Sequence, residues 1–455
     1  MVPGPTLPPR RNEIQKSLKQ SKDRLGRRWW IPVVSLVGAL LHAASVWSVV
    51  ARIGPNQRPA LLDSIIYEYL GWYLSKGARL YVDIWEVKPP LVYELTGVIA
   101  VMTGDRMILY HWLLVALTIS AAILAAVVVG ELTLAITNEP MGALVAGLVP
   151  FTYPLFPWRT AVGFKPKYFV ILFGLLAIYA ALRNRPAVSG LFGAASMGFW
   201  QLAIVFPVVA MGLLVQRRSI QRLRWFVAGF GLLTVVMLIP VVLWGALSEM
   251  LVETVLTPLI AGNGLPLADR IELATDIFRL PSVIVLIGLI GIALLVLDDP
   301  SAHWWVAVVA GWLVVQILLI DFDTAPDLLP LFAICAIGVG GVSRIERVNI
   351  PPIVALVCSL VVLSGITILF GRLAAGYSWL PPAVPVTVDL TTTPTVPYSN
   401  AELRTLFWRP VPPETCRTFF GGLQSRYLTK VGAHYGTDCG AWSPAWDWIK
   451  THWLP

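Results

Sequence analysis

The chain has 455 residues, of which 57% are hydrophobic and only 13% charged, with a formal net charge of +8. Soluble globular proteins are about a quarter charged, so this composition excludes an ordinary soluble domain and points to a polytopic membrane protein. The surplus of Lys and Arg sits largely in short segments beside apolar runs, where it reports orientation and not nucleic-acid binding.

In chain order, residues 1–30 form a basic tail, expected to be cytoplasmic and to rest on anionic lipid. The apolar run 31–53 is too long for a signal-peptide core and reads as a signal anchor. Further candidate spans are 89–104, 108–130, 141–157, 168–182, 187–215, 225–247, 281–298, 302–320, 327–342 and 351–372. Runs of about 17–25 apolar residues cross a hydrocarbon core of roughly 30 Å as helices, and the two-residue alternation of a membrane barrel is missing. The expected fold is therefore an all-α polytopic membrane protein with about 11 (11–13) transmembrane helices. An odd number with a cytoplasmic N-terminus places the C-terminus outside. The basic loops "QRRSIQRLR" (216–224) and "SRIER" (343–347) agree with that orientation. Segment 187–215 is long enough for two half-spans, and "RNR" (183–185) suits the cytoplasmic side, which shifts the topology between 105 and 215 by one crossing.

Three regions leave the membrane. Residues 54–88 form an external loop of amphipathic, interfacial helices, and residues 248–280 form a second external loop. A Pro/Thr-rich linker (373–400) leads to a small, Trp-rich external module (401–455). Cys416 and Cys439 in that module could form a disulfide if it is outside, whereas Cys335 and Cys358 fall in apolar spans and read as packing residues.

The chemistry-bearing residues gather around the first loop. Asp63 precedes a helix and fits an N-cap; it equally fits a general base at the membrane surface, with Tyr67 and Glu68 within about a turn and a half on the same helix. In "DIWEVKPPLVYEL" (83–95), Pro89 and Pro90 suit a first helical turn, which places Lys88 at the lip of the bilayer beside Asp83 and Glu86. Lys88 is either a snorkelling lysine or a point charge for a lipid phosphate. "PWRTAVGFKPKY" (157–168) offers Arg159, Lys165 and Lys167 to that phosphate if it is external, and is an ordinary positive-inside loop otherwise. "DFDTAPDLLPL" (321–331) carries Asp327 at a span junction, and Gln201 lies among apolar residues where it needs a hydrogen-bonding partner. His111, near a span start, reads as structural. No Walker loop, dinucleotide glycine fingerprint or HExxH is found, and charges within spans are scarce, which disfavours an ion-coupled carrier.

The order of basic tail, one span and then "DSIIYEYLGWYLSKGARLYVDIWEVKPPLVYEL" resembles the GT-C superfamily of membrane glycosyltransferases, in its protein-O-mannosyltransferase and aminoarabinose-transferase-like group. With "FKPKYFVILFGLLAIY", "GFWQLAIVFP" and "APDLLPLFAICAIGVG", residues 30–345 look like archaeal dolichyl-phosphate-mannose mannosyltransferases of S-layer N-glycosylation. By position the resemblance makes Asp63 the base and Lys88 a contact of the lipid-linked phosphate. Glu86 matches the acid ahead of the Lys-Pro pair, with Val87 intervening, and Phe164 and Lys165 stand where relatives carry an acid. The implied reaction is an inverting transfer of a sugar, mannose by resemblance, from a dolichyl or polyprenyl phosphate to a glycan or glycoprotein acceptor at the external face of the plasma membrane. It needs no nucleotide, and a divalent metal is left open. Another sugar, a protein or lipid acceptor, or a non-enzymatic flippase of lipid-linked sugars are the alternatives.

Overall fold

The computed structural model describes residues 26–53, 62–104, 106–262, 266–278, 282–320, 325–345 and 350–374. The basic tail before 26, the linker beyond 374, the C-terminal module with its Cys416–Cys439 pair, and Asp321 and Asp323 lie outside these residues. The described chain is helical, with an isolated bridge between Leu80 and Ile84. Its elements are α1 (Trp30–Ile53), α2 (Leu62–Ser75), α3 (Leu91–Thr103), α4 (Met107–Thr137), α5 (Pro140–Leu148), α6 (Leu155–Thr160), α7 (Pro166–Leu182), α8 (Pro186–Phe199), α9 (Val205–Gln216), α10 (Ile220–Leu243), α11 (Leu247–Leu251), α12 (Thr257–Ala261), α13 (Leu267–Phe278), α14 (Ser282–Asp298), α15 (Pro300–Val315), α16 (Leu329–Gly341) and α17 (Ile350–Ala374). By length and composition five helical segments can cross a membrane: Trp30–Ala51, Met107–Thr137, Ile220–Leu243, Pro300–Ile320 and Ile350–Phe370. Shorter apolar helices pack among them.

The bundle has two chemically distinct ends. At one, Arg28 pairs with Glu131 at 2.6 Å, Arg27 donates to Asn138, Arg217 donates to the Leu182 carbonyl, and Arg344 meets Asp298 at 3.0 Å. Arg183, Arg185 and Arg218 lie exposed there, so "RNR" and "QRRSIQRLR" share one face, as the charge pattern suggested. The loops 62–90 and 161–165, the tip between α8 and α9, and the segment 252–262 gather at the other end.

Two local outcomes differ from a simple reading of apolar runs. Segment 187–215 is not one span. Trp200 takes an extended conformation, and α8 and α9 fold back as antiparallel arms, so that Gly193 lies against Pro207. Segment 89–104 does not run to the basic end. Tyr67 packs on Tyr93, Gly71 on Thr96, and Tyr110 and His111 both reach Glu68. Helix α3 therefore rises beside α2 and meets the start of α4 in an antiparallel hairpin. Helix α4, 31 residues and about 46 Å long, continues from this hairpin to Asn138 at the basic end. Apolar composition had been satisfied here by a helix that covers α2 instead of crossing.

Close helix contact relies on small residues, as expected where lipid supplies no hydrophobic drive for association. Gly288 on α14 and Gly338 on α16 press backbone to backbone, leaving no room for a Cβ on either. The core between the two ends is apolar and continuous, from Trp30 and Phe151 to Phe206 and Phe332.

Candidate active site

Helix α2 presents Asp63 in its first turn, where a carboxylate meets the positive end of the helix dipole. Asp63 Oδ2 pairs with Lys165 Nζ at 3.2 Å, a contact between residues 102 apart in sequence. The Lys165 side chain is 3% exposed, while that of Asp63 is 45% exposed and faces the open side of the pair. Lys165, followed by Arg159 and Lys88, holds the Asp63 carboxyl below its ordinary range. Burial pulls the Lys165 ammonium below its ordinary value, and Asp63 opposes that shift.

The two sides of this pair are held by a rigid foundation. Pro166 begins α7, which sets Lys165 at the helix entrance. Just before it, Gly163 takes φ +122, and a Cβ there would strike Glu68 and Ser64. Buried Glu68 accepts the Phe164 amide hydrogen at 3.0 Å and contacts His111 Nδ1 at 2.9 Å, and the Tyr110 hydroxyl donates to the Glu68 carbonyl. One carboxylate thus ties α2, α4 and the 161–165 loop together. His111 and Glu68 are buried against one another beneath Asp63.

The "EVKPP" segment closes the pocket from another side. The Tyr81 hydroxyl donates to the Lys88 carbonyl at 2.8 Å. The Glu86 amide donates to Glu253 Oε2 at 3.0 Å, and the Val87 amide donates to the Glu86 carboxylate at 2.8 Å. Gln201 Nε2 donates to the carbonyls of Val87 and Thr254, each at 3.1 Å. These bonds fix where Lys88 sits. Among the described residues no carboxylate reaches ion-pair distance of Lys88, yet its charge acts on both Asp63 and Glu86. Glu86 is buried, and desolvation pushes its carboxyl above the ordinary range against the pull of Lys88. Arg159 is half-buried, with its Nε bonded to no protein group, and its guanidinium lies beside the Trp158 ring.

The remaining sequence candidates divide. Lys167 pairs with Asp327 at 3.1 Å and lies over the Trp200 ring, so it joins α7 to the 3-10 turn Ala325–Leu328 before α16 and to the α8–α9 tip. Asp83 is taken up by Arg79, whose guanidinium Nη2 meets it at 3.1 Å within the same loop. Tyr67 stacks edge-on with Phe164 and tilts on Tyr93 beside the pocket. Glu253 was missed by sequence reasoning. Its signal was a lone acid in the apolar stretch "MLVETVL", fully buried here and capping a backbone donor of the Lys88 loop.

The chemical character of the pocket follows. A half-exposed carboxylate stands among Lys88, Arg159 and Lys165, three cations to one exposed acid. That set suits an anion beside a proton acceptor. Among the described residues no group of three or more His, Cys, Asp and Glu side chains converges in a way that could hold a metal ion; Asp63, Glu68, Glu86, Glu253 and Asp83 are engaged with Lys165, His111, backbone amides and Arg79.

The family described as DolP-mannose mannosyltransferase matches residues 77–239, from the turn before "DIWEVKPP" to the end of α10. A protein of Haloferax volcanii named dolichol phosphate-mannose mannosyltransferase is 33% identical over 333 residues, 72% of each chain. Among solved structures, ArnT from Cupriavidus metallidurans, crystallised with undecaprenyl phosphate, shares the fold with a TM-score of 0.55 at 13% identity, over 88% of each chain. The relative's 33% identity over 72% of each chain places this chain in the dolichol phosphate-mannose mannosyltransferase family.

Proposed function

We propose that the protein transfers mannose from dolichyl phosphate mannose to a hydroxyl of an acceptor glycan, with Asp63 as general base. The observation that carries this reading is the Asp63–Lys165 pair, opening on one side to a surface shared with Lys88 and Arg159. In the reaction, an Asp63 oxygen accepts the proton of the acceptor hydroxyl as that oxygen attacks the anomeric carbon. The carbon–oxygen bond to the phosphate breaks, and the charge left on dolichyl phosphate is stabilised by Lys88, Arg159 and Lys165. A single displacement inverts the anomeric centre.

Glu86, buried with its carboxylate accepting the Val87 amide, supports the loop that carries Lys88. The concentration of arginine at the opposite end supports a cytoplasmic location for that end, so the pocket faces outside. With that orientation the crossings of the chain would fall at α1, α4, α5 with the turn Val149–Thr152, α7, α8, α9, α10 and α14–α17, while α2, α3 and α6 stay on the pocket side. The plasma membrane and a glycoprotein glycan of the S-layer type fit such an external site.

The test is transfer of radiolabelled mannose from dolichyl phosphate mannose by membranes bearing wild type or Asp63→Asn. The asparagine keeps the shape and an oxygen for Lys165 but cannot take the proton. Transfer should fall by roughly 10²–10⁴-fold; transfer at the wild-type rate would remove Asp63 from the base role.

A further inference from the structure

The basic end of the bundle holds no lysine among the described residues, whereas Lys76, Lys88, Lys165 and Lys167 all lie on the pocket side. Orientation across a membrane is served equally by Lys and Arg, so the choice of arginine at this end needs another cause. Some of these arginines have acidic partners: Arg28 pairs with Glu131 and Arg344 with Asp298. Among the described residues no carboxylate pairs with Arg185, Arg218, Arg222 or Arg224. Arg222 is half-buried and the other three are exposed.

The packing brings these four together. Arg183 and Arg217 end α7 and α9, and the Arg217 guanidinium donates to the Leu182 carbonyl at 2.9 Å, which joins the two turns. Along α8 and α10, a Cβ on Gly190 would strike the Phe226 carbonyl, and one on Gly198 would strike Met237. The two helices therefore run side by side in the same direction. Arg185, just ahead of α8, comes level with the first turns of α10, which carry Arg222 and Arg224, and Arg218 stands in the turn before them. The two turns are built alike, with Asn184 at φ 56 and Arg218 at φ 51. Asparagine suits this left-handed conformation and a long side chain does not. Arg218 bears a strain that an asparagine, as in the sister turn, would avoid.

The patch borders an exposed apolar surface. Ile220 and Trp225 are 66% and 55% exposed, and the exposed stripe continues along α10 through Val227, Leu232 and Val236. Tryptophan at such a border is an interfacial anchor. Guanidinium groups and the apolar stripe thus meet at Trp225, the depth at which lipid headgroups lie. Like charges in one patch repel one another, and a bound phosphate removes that repulsion. Its oxygens match the parallel N–H groups of a guanidinium, a fit that an ammonium cannot offer.

We propose that Arg185, Arg218, Arg222 and Arg224 bind the headgroup phosphate of an anionic phospholipid at the bilayer surface, through the forked N–H groups of their guanidiniums. The occupant is a lipid and not free phosphate, because the apolar stripe of α10 continues from the patch and gives acyl chains a surface to lie on. The proposal is independent of the glycosyl-transfer reading, and of which end faces the cytoplasm, since phospholipid headgroups line both surfaces of a bilayer.

The experiment titrates phosphatidylglycerol, phosphatidylcholine or inorganic phosphate into the full chain in a non-ionic detergent. Bound lipid is counted by native mass spectrometry, and the unfolding midpoint is read with and without each probe. A neutral variant combines Arg218→Asn, Arg222→Gln and Arg224→Gln; a second combines Arg218→Lys, Arg222→Lys and Arg224→Lys, which keeps the charge and removes the fork. Wild type should retain phosphatidylglycerol in preference to phosphatidylcholine and gain stability from it. In the neutral variant that affinity should fall by roughly 10–10²-fold, with the lipid-free midpoint unchanged or raised. The lysine variant should fall between the two, and Arg106→Gln, at the other end of the bundle, should bind as wild type does. Any of four results would overturn the proposal: no preference in the wild type, equal affinity in wild type and the neutral or the lysine variant, a lipid-free midpoint lowered in the neutral variant, or inorganic phosphate displacing the lipid at equal concentration. The third would show that the arginines serve protein contacts, and the last that the patch takes any phosphate.

Discussion

At the scale of single residues, the pair of Asp63 and Lys165 meets the two demands of the proposed role, a base that must also sit beside an anion. Lys165 is buried and needs a counter-charge; Asp63 supplies it while keeping almost half of its side chain exposed. The Asp63 carboxyl is held below its ordinary range, chiefly by Lys165. In the free enzyme the acid limb of kcat/KM that belongs to Asp63 therefore falls below the usual aspartate value of about 3.9. The sign for stability is the same: what the lowered carboxyl contributes is fully present above the unfolded value and is lost as pH falls through the folded one. Lys165→Met removes the largest cause of the shift. It should move the acid limb of kcat/KM upward and weaken donor binding, read from a pH–rate series on the purified enzyme. An acid limb that does not move would show that Lys165 is not the group setting Asp63. A second residue-scale expectation concerns Gly163. At φ +122, against Glu68 and Ser64, it has neither the backbone freedom nor the space for a side chain. Gly163→Ala should lower the unfolding midpoint and depress transfer together, since Glu68 would be pushed off the Phe164 amide.

At the scale of elements, the loop that carries Lys88 is held from outside its own sequence. Glu253 accepts from the Glu86 amide, and Gln201 bonds the Val87 carbonyl. Glu253→Leu would leave a buried amide without that acceptor, at a cost of about 1–3 kcal/mol, and should raise the donor KM more than it lowers kcat. Glu253→Gln retains an acceptor oxygen and should remain near wild type, so thermal unfolding and KM measured on the pair separate packing from hydrogen bonding. The same elements show what a sequence can and cannot convey. Prolines at helix starts and runs of apolar residues marked α1, α7 and α10 directly, because hydropathy and start signals are local. Asp63, Lys88 and Lys165 were legible because charged residues are rare beside spans. Their meeting was not, since Asp63 and Lys165 are 102 residues apart. The hairpin of α3 with the start of α4 was hidden for a related reason: an apolar helix facing a protein neighbour has the composition of one facing lipid. Glu68 could be suspected of chemistry from its place after Asp63, but only the fold shows it spent on His111 and Phe164.

At the scale of the molecule, the two ends of the bundle divide labour. The basic end locks helix termini together with Arg28, Arg217 and Arg344, whereas the other end spends its charges on the pocket. The fold-back of α3 and the break at Trp200 have opposite effects on crossing number, one removing a traverse and the other adding one. A cytoplasmic N-terminus therefore still leads α17 to the outside, but by a different path between 89 and 215. That path has a direct consequence for Arg106, which is exposed at the α3–α4 turn. If segment 89–104 crossed the membrane, Arg106 would lie on the side opposite Lys88. In the hairpin it lies on the same side as Lys88 and opposite Arg185, which is exposed at the basic end. In a cysteine-free background, Arg106→Cys should react with a membrane-impermeant maleimide added to intact cells. Arg185→Cys should react only after the cells are opened. Labelling of both positions from one side, or the reverse pattern, would break the link between the arginine-rich end and the cytoplasm. The expected pattern would place the pocket, its entrance from the outer leaflet and the α3–α4 hairpin on the outer face together. A lipid-anchored donor could then reach Asp63 without its phosphate leaving the interface.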